Sequence, residues 1–123
     1  MSYELRWEAN GVVKRFFGKV TDFDMMQSVI DTESDPRFDA YRYVINNFLD
    51  CTSYAVSNKV VDEISAMDCG AAHTNPRIRI AVVTTAPEIV SLTARYAQSR
   101  VNRYPTRIFS TVEEAQAWLN SDS

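Results

Sequence analysis

The sequence predicts one α/β domain over residues 1–123, with the element order ββαβαβαβα, a mixed five-stranded sheet and four helices. The chain opens with an alternating strand and Asn10-Gly11, which is typical of an antiparallel hairpin. Strand-like and helix-like segments then alternate three times, which implies parallel strands joined by right-handed crossovers. The length suits one domain, and the sequence contains neither an internal repeat nor a linker.

In the predicted hairpin, Tyr3, Leu5 and Trp7 share one face of the first strand, and charged side chains share the other. This alternation indicates a half-buried strand. Asn10-Gly11 is the pair that most readily supplies the positive φ angles of a tight turn. The returning strand is predicted over residues 12–20.

Thr21 and Asp24 predict a capping box at the start of the first helix. The helix should end near Ser34, because the residue before a proline is disfavoured in helical conformation. Residues 35–42 are predicted to form a loop with a partly buried Phe38. The predicted inward stripe of the helix consists of Phe23, Met26 and Ile30, widened by Met25 and Val29.

Residues 43–70 form the longest strand-then-helix segment. We expect an apolar strand over 43–49, a polar turn over 50–55, and a helix capped by Ser57. The predicted apolar seam of this helix consists of Val60, Ile64, Met67 and Ala71.

The last third of the chain repeats this pattern. Residues 78–84 are rich in branched side chains and predict an internal strand. Thr85-Ala-Pro-Glu88 combines an N-cap, an early proline and a capping glutamate at the start of a third helix. After a short strand over 107–109, Thr111 caps a final helix. Its predicted inward face consists of Val112, Ala115, Trp118 and Leu119.

The composition is that of a globular protein, with 46% hydrophobic and 24% charged residues. The first residues lack the pattern of a signal peptide, and no apolar run reaches the ~20 residues of a transmembrane helix. Two cysteines in a chain without an export signal predict a reduced, cytoplasmic protein. The sequence pI of about 5.1 argues against a nucleic-acid partner.

Charge is unevenly distributed along the chain. Residues 1–68 carry twelve acidic and seven basic side chains, whereas residues 69–107 carry six arginines and one glutamate. Either the basic segment offers a surface for an acidic partner, or the two parts pair with each other in the fold. The candidate partner surface consists of Arg95, Arg100 and Arg103.

Four segments carry a resemblance to a known family: residues 3–8 with the Asn-Gly turn, 35–39, Asn75-Pro76 with 78–83, and 108–119. Together with the order of elements, they resemble the small stand-alone bacterial members of the STAS superfamily, named for sulphate transporters and anti-sigma-factor antagonists. The resemblance implies a non-enzymatic regulatory or binding module that acts through protein contacts, with self-association into a homo-oligomer such as a dimer. It supports the architecture better than the function.

In the regulatory branch of that superfamily, a serine at the start of the helix after the central strand is phosphorylated, which releases a partner kinase. Ser57 stands at the matching position. The neighbouring residues depart from the motif, since Val56 replaces an acid and Asn58-Lys59 replace Ser-Gly. The alternative is that Ser57 is a simple N-cap, worth ~1 kcal/mol.

Other small members of the superfamily resemble binders of apolar or lipid-like molecules between helices and sheet. Flexible and aromatic side chains could line such a pocket, or they could fill an ordinary core. The candidate pocket residues are Phe16, Phe23, Met25, Met26, Phe48 and Met67.

Ligands of open α/β sheets favour the carboxyl ends of parallel strands, where the sequence offers a polar rim of Asn47, Asp50, Ser53 and Thr84. This rim contains no general base, nucleophile or phosphate-binding loop, so we expect no catalytic residues, no enzymatic activity and no cofactor. His73 and Cys69 are too few to hold a structural metal ion, and we expect none.

Overall fold

A computed structural model describes residues 2–121. The strands are β1 (Tyr3–Glu8), β2 (Gly11–Thr21), β3 (Tyr43–Ala55), β4 (Arg79–Val83) and β5 (Thr106–Phe109). The helices are α1 (Asp22–Glu33), α2 (Asn58–Thr74), α3 (Pro87–Ala97) and α4 (Val112–Leu119), with a 3-10 turn at Pro36–Asp39.

The five strands form one sheet in the order β1-β2-β3-β4-β5. β1 and β2 are antiparallel, and each later pair is parallel. The main core lies between the sheet and helices α1, α2 and α3, whereas α4 covers the other face around Ile45 and Ala81. The predicted fold class and element order are therefore confirmed.

The hairpin forms where the sequence predicts it, but the reason given for its glycine is wrong. Glu8 pairs with Gly11 across a two-residue turn, and Gly18 is the one residue with positive φ in the described part of the chain. A Cβ on Gly11 would lie 2.5 Å from the ring of Tyr43. Gly11 is therefore required by close packing between neighbouring strands rather than by turn geometry.

β3 is longer than predicted. The polar turn expected over residues 50–55 is instead the second half of the strand, and Ala55 pairs with Thr21 at the far end of β2. The prediction of a turn rested on the polarity of these residues, and they are polar because this half of β3 extends over exposed positions such as Ser53. Its backbone is ordered by pairing with β2.

α1 begins with the predicted capping box and ends at the predicted residue, with Ser34 as its C-cap. Its predicted inward stripe is wrong at two of the five positions, whereas Met25 and Met26 pack against the core. Phe23 is 65% exposed and Ile30 is 41% exposed, although Val29 is buried as expected. Besides Val29, the buried positions are polar: Asp24, Ser28 and Thr32, spaced four residues apart.

The remaining helix starts agree with the sequence in most respects. Ser57 caps α2, where its Oγ accepts the Val60 N–H at 3.2 Å, and Thr111 caps α4. The predicted N-cap of α3, Thr85, is wrong, since Ala86 occupies that position without a side-chain hydrogen bond. Proline at the first turn starts α3 without a polar cap.

Candidate functional site

A cavity of about 110 Å³ lies within the main core, between β2–β4 and the three helices packed on them. Most of its wall is apolar. The apolar lining includes Val29, Val44, Val61, Ile64, Ile80 and Val82. Voids larger than a water molecule are few in protein cores, so a space of this size is a candidate ligand site.

Lys14 projects from β2 into this cavity and is 4% exposed. Its position follows from strand alternation, since Val12 and Phe16 on the same face are fully buried. Burial lowers the pKa of Lys14 to about 8, although the acidic side chains of Asp68, Glu33 and Asp31 partly offset the shift. Within residues 2–121, its Nζ makes one hydrogen bond, to Ser28 Oγ at 3.5 Å.

Two acidic side chains also line the cavity. Asp68 on α2 is buried and accepts a hydrogen bond from the Tyr96 hydroxyl at 2.5 Å. Burial and a hydrogen bond with Asp68 raise the pKa of Glu33 to about 9, so Glu33 is protonated at neutral pH. Glu33, Asp68 and Tyr96 thus join the end of α1 to α2 and α3 through one hydrogen-bonded cluster.

Two further tyrosines contribute to the polar lining. Burial raises the pKa of both Tyr41 and Tyr104 above the usual tyrosine range, so both stay neutral. The Tyr104 hydroxyl donates to the Asn75 carbonyl at 2.9 Å. These tyrosines bring hydroxyl groups to a cavity that is otherwise mainly apolar.

The predicted pocket residues are only partly brought together. Met25 and Phe48 line the cavity, whereas Phe16 stacks on Phe48 with the ring centroids 4.6 Å apart. Met26 and Met67 are half-buried against the core without lining the cavity. Phe23 is mostly exposed and does not line the cavity.

The charged members of the cavity were missed by sequence reasoning. Lys14 carried a usable signal, because a period of two places it with Val12 and Phe16 on the buried face. Asp68 carried a similar signal, because it lies four residues after Ile64 on the apolar face of α2. Nothing in the sequence alone indicated that these groups would meet at the same cavity.

Ser57 forms a second polar cluster, at the junction of α1 and α2. Its Oγ donates to Asp22 Oδ2 at 2.7 Å, and its backbone N–H donates to Asp22 Oδ1 at 2.7 Å. The Oγ also caps α2 at Val60. Ser57 is therefore an N-cap that also connects two helices.

The fold matches those of known proteins. The anti-sigma factor antagonist SpoIIAA in its unphosphorylated form aligns with a TM-score of 0.65 and 14% sequence identity, covering 97% of this chain and 98% of that chain. An uncharacterized protein of the DUF3478 family from Shewanella loihica PV-4, with a SpoIIAA-like fold, aligns with a TM-score of 0.58 and 14% identity. That alignment covers 95% of this chain and 91% of the other.

The chain has a STAS-like fold. No protein-family model matches the sequence, and neither does any curated protein. At 14% identity, the two structures establish the architecture and leave the activity to be argued from the residues.

In this STAS-like fold, the predicted polar rim is dispersed. Asn47 lies within β3 and accepts the backbone N–H of Leu49, while Asp50 pairs with Arg15 at 2.7 Å. Ser53 is exposed in the extension of β3, and Thr84 is buried after β4. Because β3 continues to residue 55, Asn47, Asp50 and Ser53 do not stand at a strand end.

The three predicted arginines do not form one patch with Ser57. Arg95 pairs with Asp62 of α2 through two contacts of 2.8 Å, so one basic group of the third helix is matched within the fold. Arg100 and Arg103 lie on the exposed connection that leads into β5. That connection precedes a parallel strand, whereas Ser57 follows one, so the two features occupy opposite ends of the sheet.

None of the helices in the described part of the chain combines the length and hydrophobicity that a bilayer span needs. Across residues 2–121, His73, Cys69 and the acidic side chains form no group of three or more that could hold a metal ion.

Proposed function

We propose that this chain is a non-enzymatic regulatory module that binds another protein at the end of the fold where α1 and α2 begin. We name this surface the Ser57 end and define it by Asp22, Phe23 and Ser57. The observation that carries the proposal is Phe23, a large apolar side chain that is 65% exposed directly beside the Asp22–Ser57 junction. The anti-sigma factor antagonist SpoIIAA has the same fold.

An exposed aromatic residue is a good candidate for an interface anchor. Aromatic side chains are enriched among the residues that dominate binding energy, because each buries a large apolar area. Among residues 2–121, Phe23 belongs to neither core cluster, so a partner that covered it would gain from the burial. The basic side chains of Arg100 and Arg103 lie at the other end and serve as a separate candidate surface.

Phosphorylation of Ser57 would act on this surface directly. The Oγ now donates a hydrogen bond to the Asp22 carboxylate. A phosphoryl group would remove that donor and place about two negative charges against Asp22. Repulsion at the junction would separate the starts of α1 and α2, while the N-terminus of α2 would favour the added charge. A kinase-regulated module in a reducing cytoplasm is consistent with the free cysteines Cys51 and Cys69.

Quantitative pull-down of bacterial proteins with the purified chain tests the proposal. Proteins retained by the wild type should be lost with Phe23→Ser and retained with Val90→Ser, a matched control because Val90 is also an exposed helical side chain. Sedimentation of the same three proteins tests self-association into a dimer through Phe23. If Phe23→Ser retains the same proteins and the same mass as Val90→Ser, the Ser57 end is not the interface.

The cavity supports a second candidate function, a small carrier or sensor of a ligand held between helices and sheet. A volume of about 110 Å³ that contains buried polar groups is a costly feature to keep without an occupant. Native mass spectrometry of freshly purified protein and a thermal-shift panel of apolar, anionic and neutral compounds test it. A protein that carries no small molecule and responds to no class of compound is not a carrier.

A further inference from the structure

The cavity shows what kind of ligand it would take. We infer that it binds a small, uncharged molecule with an apolar body and one carbonyl or hydroxyl oxygen, which accepts a hydrogen bond from Lys14. The inference rests on the second candidate function and adds the chemistry of the ligand. It is carried by a buried ammonium group with unused donors, a lining with one basic and two acidic groups, and a mainly apolar wall.

Lys14 supplies the polar contact. An ammonium group has three N–H donors, and burial without partners is costly. Among residues 2–121, Nζ has one hydrogen bond, at the long distance of 3.5 Å, and no carboxylate in ion-pair contact. The Lys14 side chain lines the cavity, so its remaining donors are available to a ligand there. An oxygen acceptor inside the cavity would satisfy them.

The charge balance of the lining favours an uncharged ligand. The lining holds one basic group, Lys14, and two acidic groups, Asp68 and Glu33, and burial and a hydrogen bond with Asp68 raise the pKa of Glu33 to about 9. Asp68 is already engaged by Tyr96 and Glu33. A bound anion would therefore leave an uncompensated negative charge in a site removed from water, which is strongly unfavourable. A neutral acceptor satisfies Lys14 without that penalty.

The size of the cavity limits the apolar body. An apolar cavity of about 150 Å³ in an engineered lysozyme binds benzene. The cavity here, at about 110 Å³, fits a slightly smaller body. Ligands of roughly four to six non-hydrogen atoms follow from that comparison. The surrounding valines and isoleucines suit a saturated ring or a branched chain.

Three probes of matched size separate the possible chemistries. Cyclopentanone has a neutral acceptor, cyclopentane has none, and butyrate carries a charge. We expect cyclopentanone to shift the amide NMR signals of Val61 and Ile64, which line the cavity, with a Kd on the order of 1 mM. Cyclopentane and butyrate should each bind at least about tenfold more weakly.

Two lysine variants identify the donor. Lys14→Met keeps the length of the side chain and removes the buried charge, so the fold should be retained. It should reverse the preference, with cyclopentane binding better than cyclopentanone. Lys19→Met is the matched control, because Lys19 lies on the same strand and is exposed, and it should bind like the wild type. Val61→Phe fills the cavity, leaves Lys14 in place, and should abolish binding of all three probes.

The outcomes separate the two levels of the proposal. If butyrate or cyclopentane binds the wild type as well as cyclopentanone does, the cavity binds ligands and the inference about their class is overturned. Equal binding of cyclopentanone to wild type and Lys14→Met overturns the role of Lys14. If no probe binds and the thermal-shift panel also shows no ligand, the carrier function itself fails.

Discussion

The junction between Asp22 and Ser57 gives the sharpest stability prediction. Asp22→Ala removes two hydrogen bonds of 2.7 Å to one acceptor carboxylate. Hydrogen bonds to charged groups contribute about 1.5–3 kcal/mol each when buried. Because this junction is only partly buried, we expect less than that from each bond, and about 2 kcal/mol from the two bonds together. For a domain of this length, such a loss lowers Tm by roughly 6–12 °C.

Ser57→Ala removes a different set of contacts. It loses the Oγ bond to Asp22 and the cap on the Val60 N–H, but it keeps the backbone donor. We expect a loss of about 1–2 kcal/mol. The double variant should be less destabilised than the sum of the two singles, by about 0.5–1.5 kcal/mol, because both remove the same bond.

Urea denaturation followed by circular dichroism measures all three variants. Glu113→Ala is the control, because Glu113 is also an acidic residue in the first turn of a helix and is exposed. It should lose only the contribution from the helix dipole, about 0.3–1 kcal/mol. The reasoning is refuted if Asp22→Ala costs no more than Glu113→Ala, or if the single losses add without coupling.

The phosphomimetic follows from the same geometry. Ser57→Asp should be less stable than Ser57→Ala, because the new carboxylate faces the Asp22 carboxylate and has no hydrogen to donate to it. Asp22→Asn should recover part of the loss, since its amide can donate to the new carboxylate. If Asp22→Asn fails to recover stability in the Ser57→Asp background, phosphorylation would not act through repulsion at this junction.

Four further variants test the packing and the buried cluster by urea denaturation. Gly11→Ala should be strongly destabilised, because its Cβ would meet Tyr43 at 2.5 Å. Gly70→Ala has open space around it and should gain about 0.5–1 kcal/mol of stability. Equal effects of the two substitutions would contradict the close-packing argument. Tyr96→Phe should lose about 1–3 kcal/mol of stability, because the buried Asp68 side chain loses a hydrogen-bond donor. An unchanged stability would show that this hydrogen bond does not stabilise the fold. Folding raises the pKa of Glu33 from 4.5 to about 9, so the folded state binds a proton that the unfolded state releases. Stability should therefore fall as pH rises from about 5 to 9, and Glu33→Gln should flatten that fall; an unchanged slope would contradict the assignment.

The sequence predicted those parts of the fold that depend on local chemistry. The capping residues Thr21, Ser57 and Thr111 start the helices where expected, because a cap is satisfied by backbone groups within three residues. The opening hairpin and the parallel direction of the later strands also follow from local patterns and connection rules. These features require no knowledge of distant contacts.

The errors arise where a distant partner decides the outcome. The second half of β3 is polar and was interpreted as a turn, yet pairing with β2 makes it a strand. The site shows the same limitation. Lys14 and Asp68 each lie on a face whose burial is predictable, but 54 positions separate them, and only the fold brings them to one cavity. A sequence pattern gives the facing direction of a residue, and tertiary structure gives its neighbours.

α1 is the element on which these departures concentrate. A helix chosen for stability alone would turn its phenylalanine and isoleucine inward and its aspartate, serine and threonine outward. α1 does the opposite at Phe23 and Ile30, and its inward Ser28 contacts the buried Lys14. The cost of both choices falls on the stability of the fold, since apolar area stays in water and polar groups must be satisfied inside. Rules of patterning are broken in this way at functional sites. Both proposed sites, the Ser57 end and the cavity, meet on this helix, and each accounts for one half of its reversed pattern.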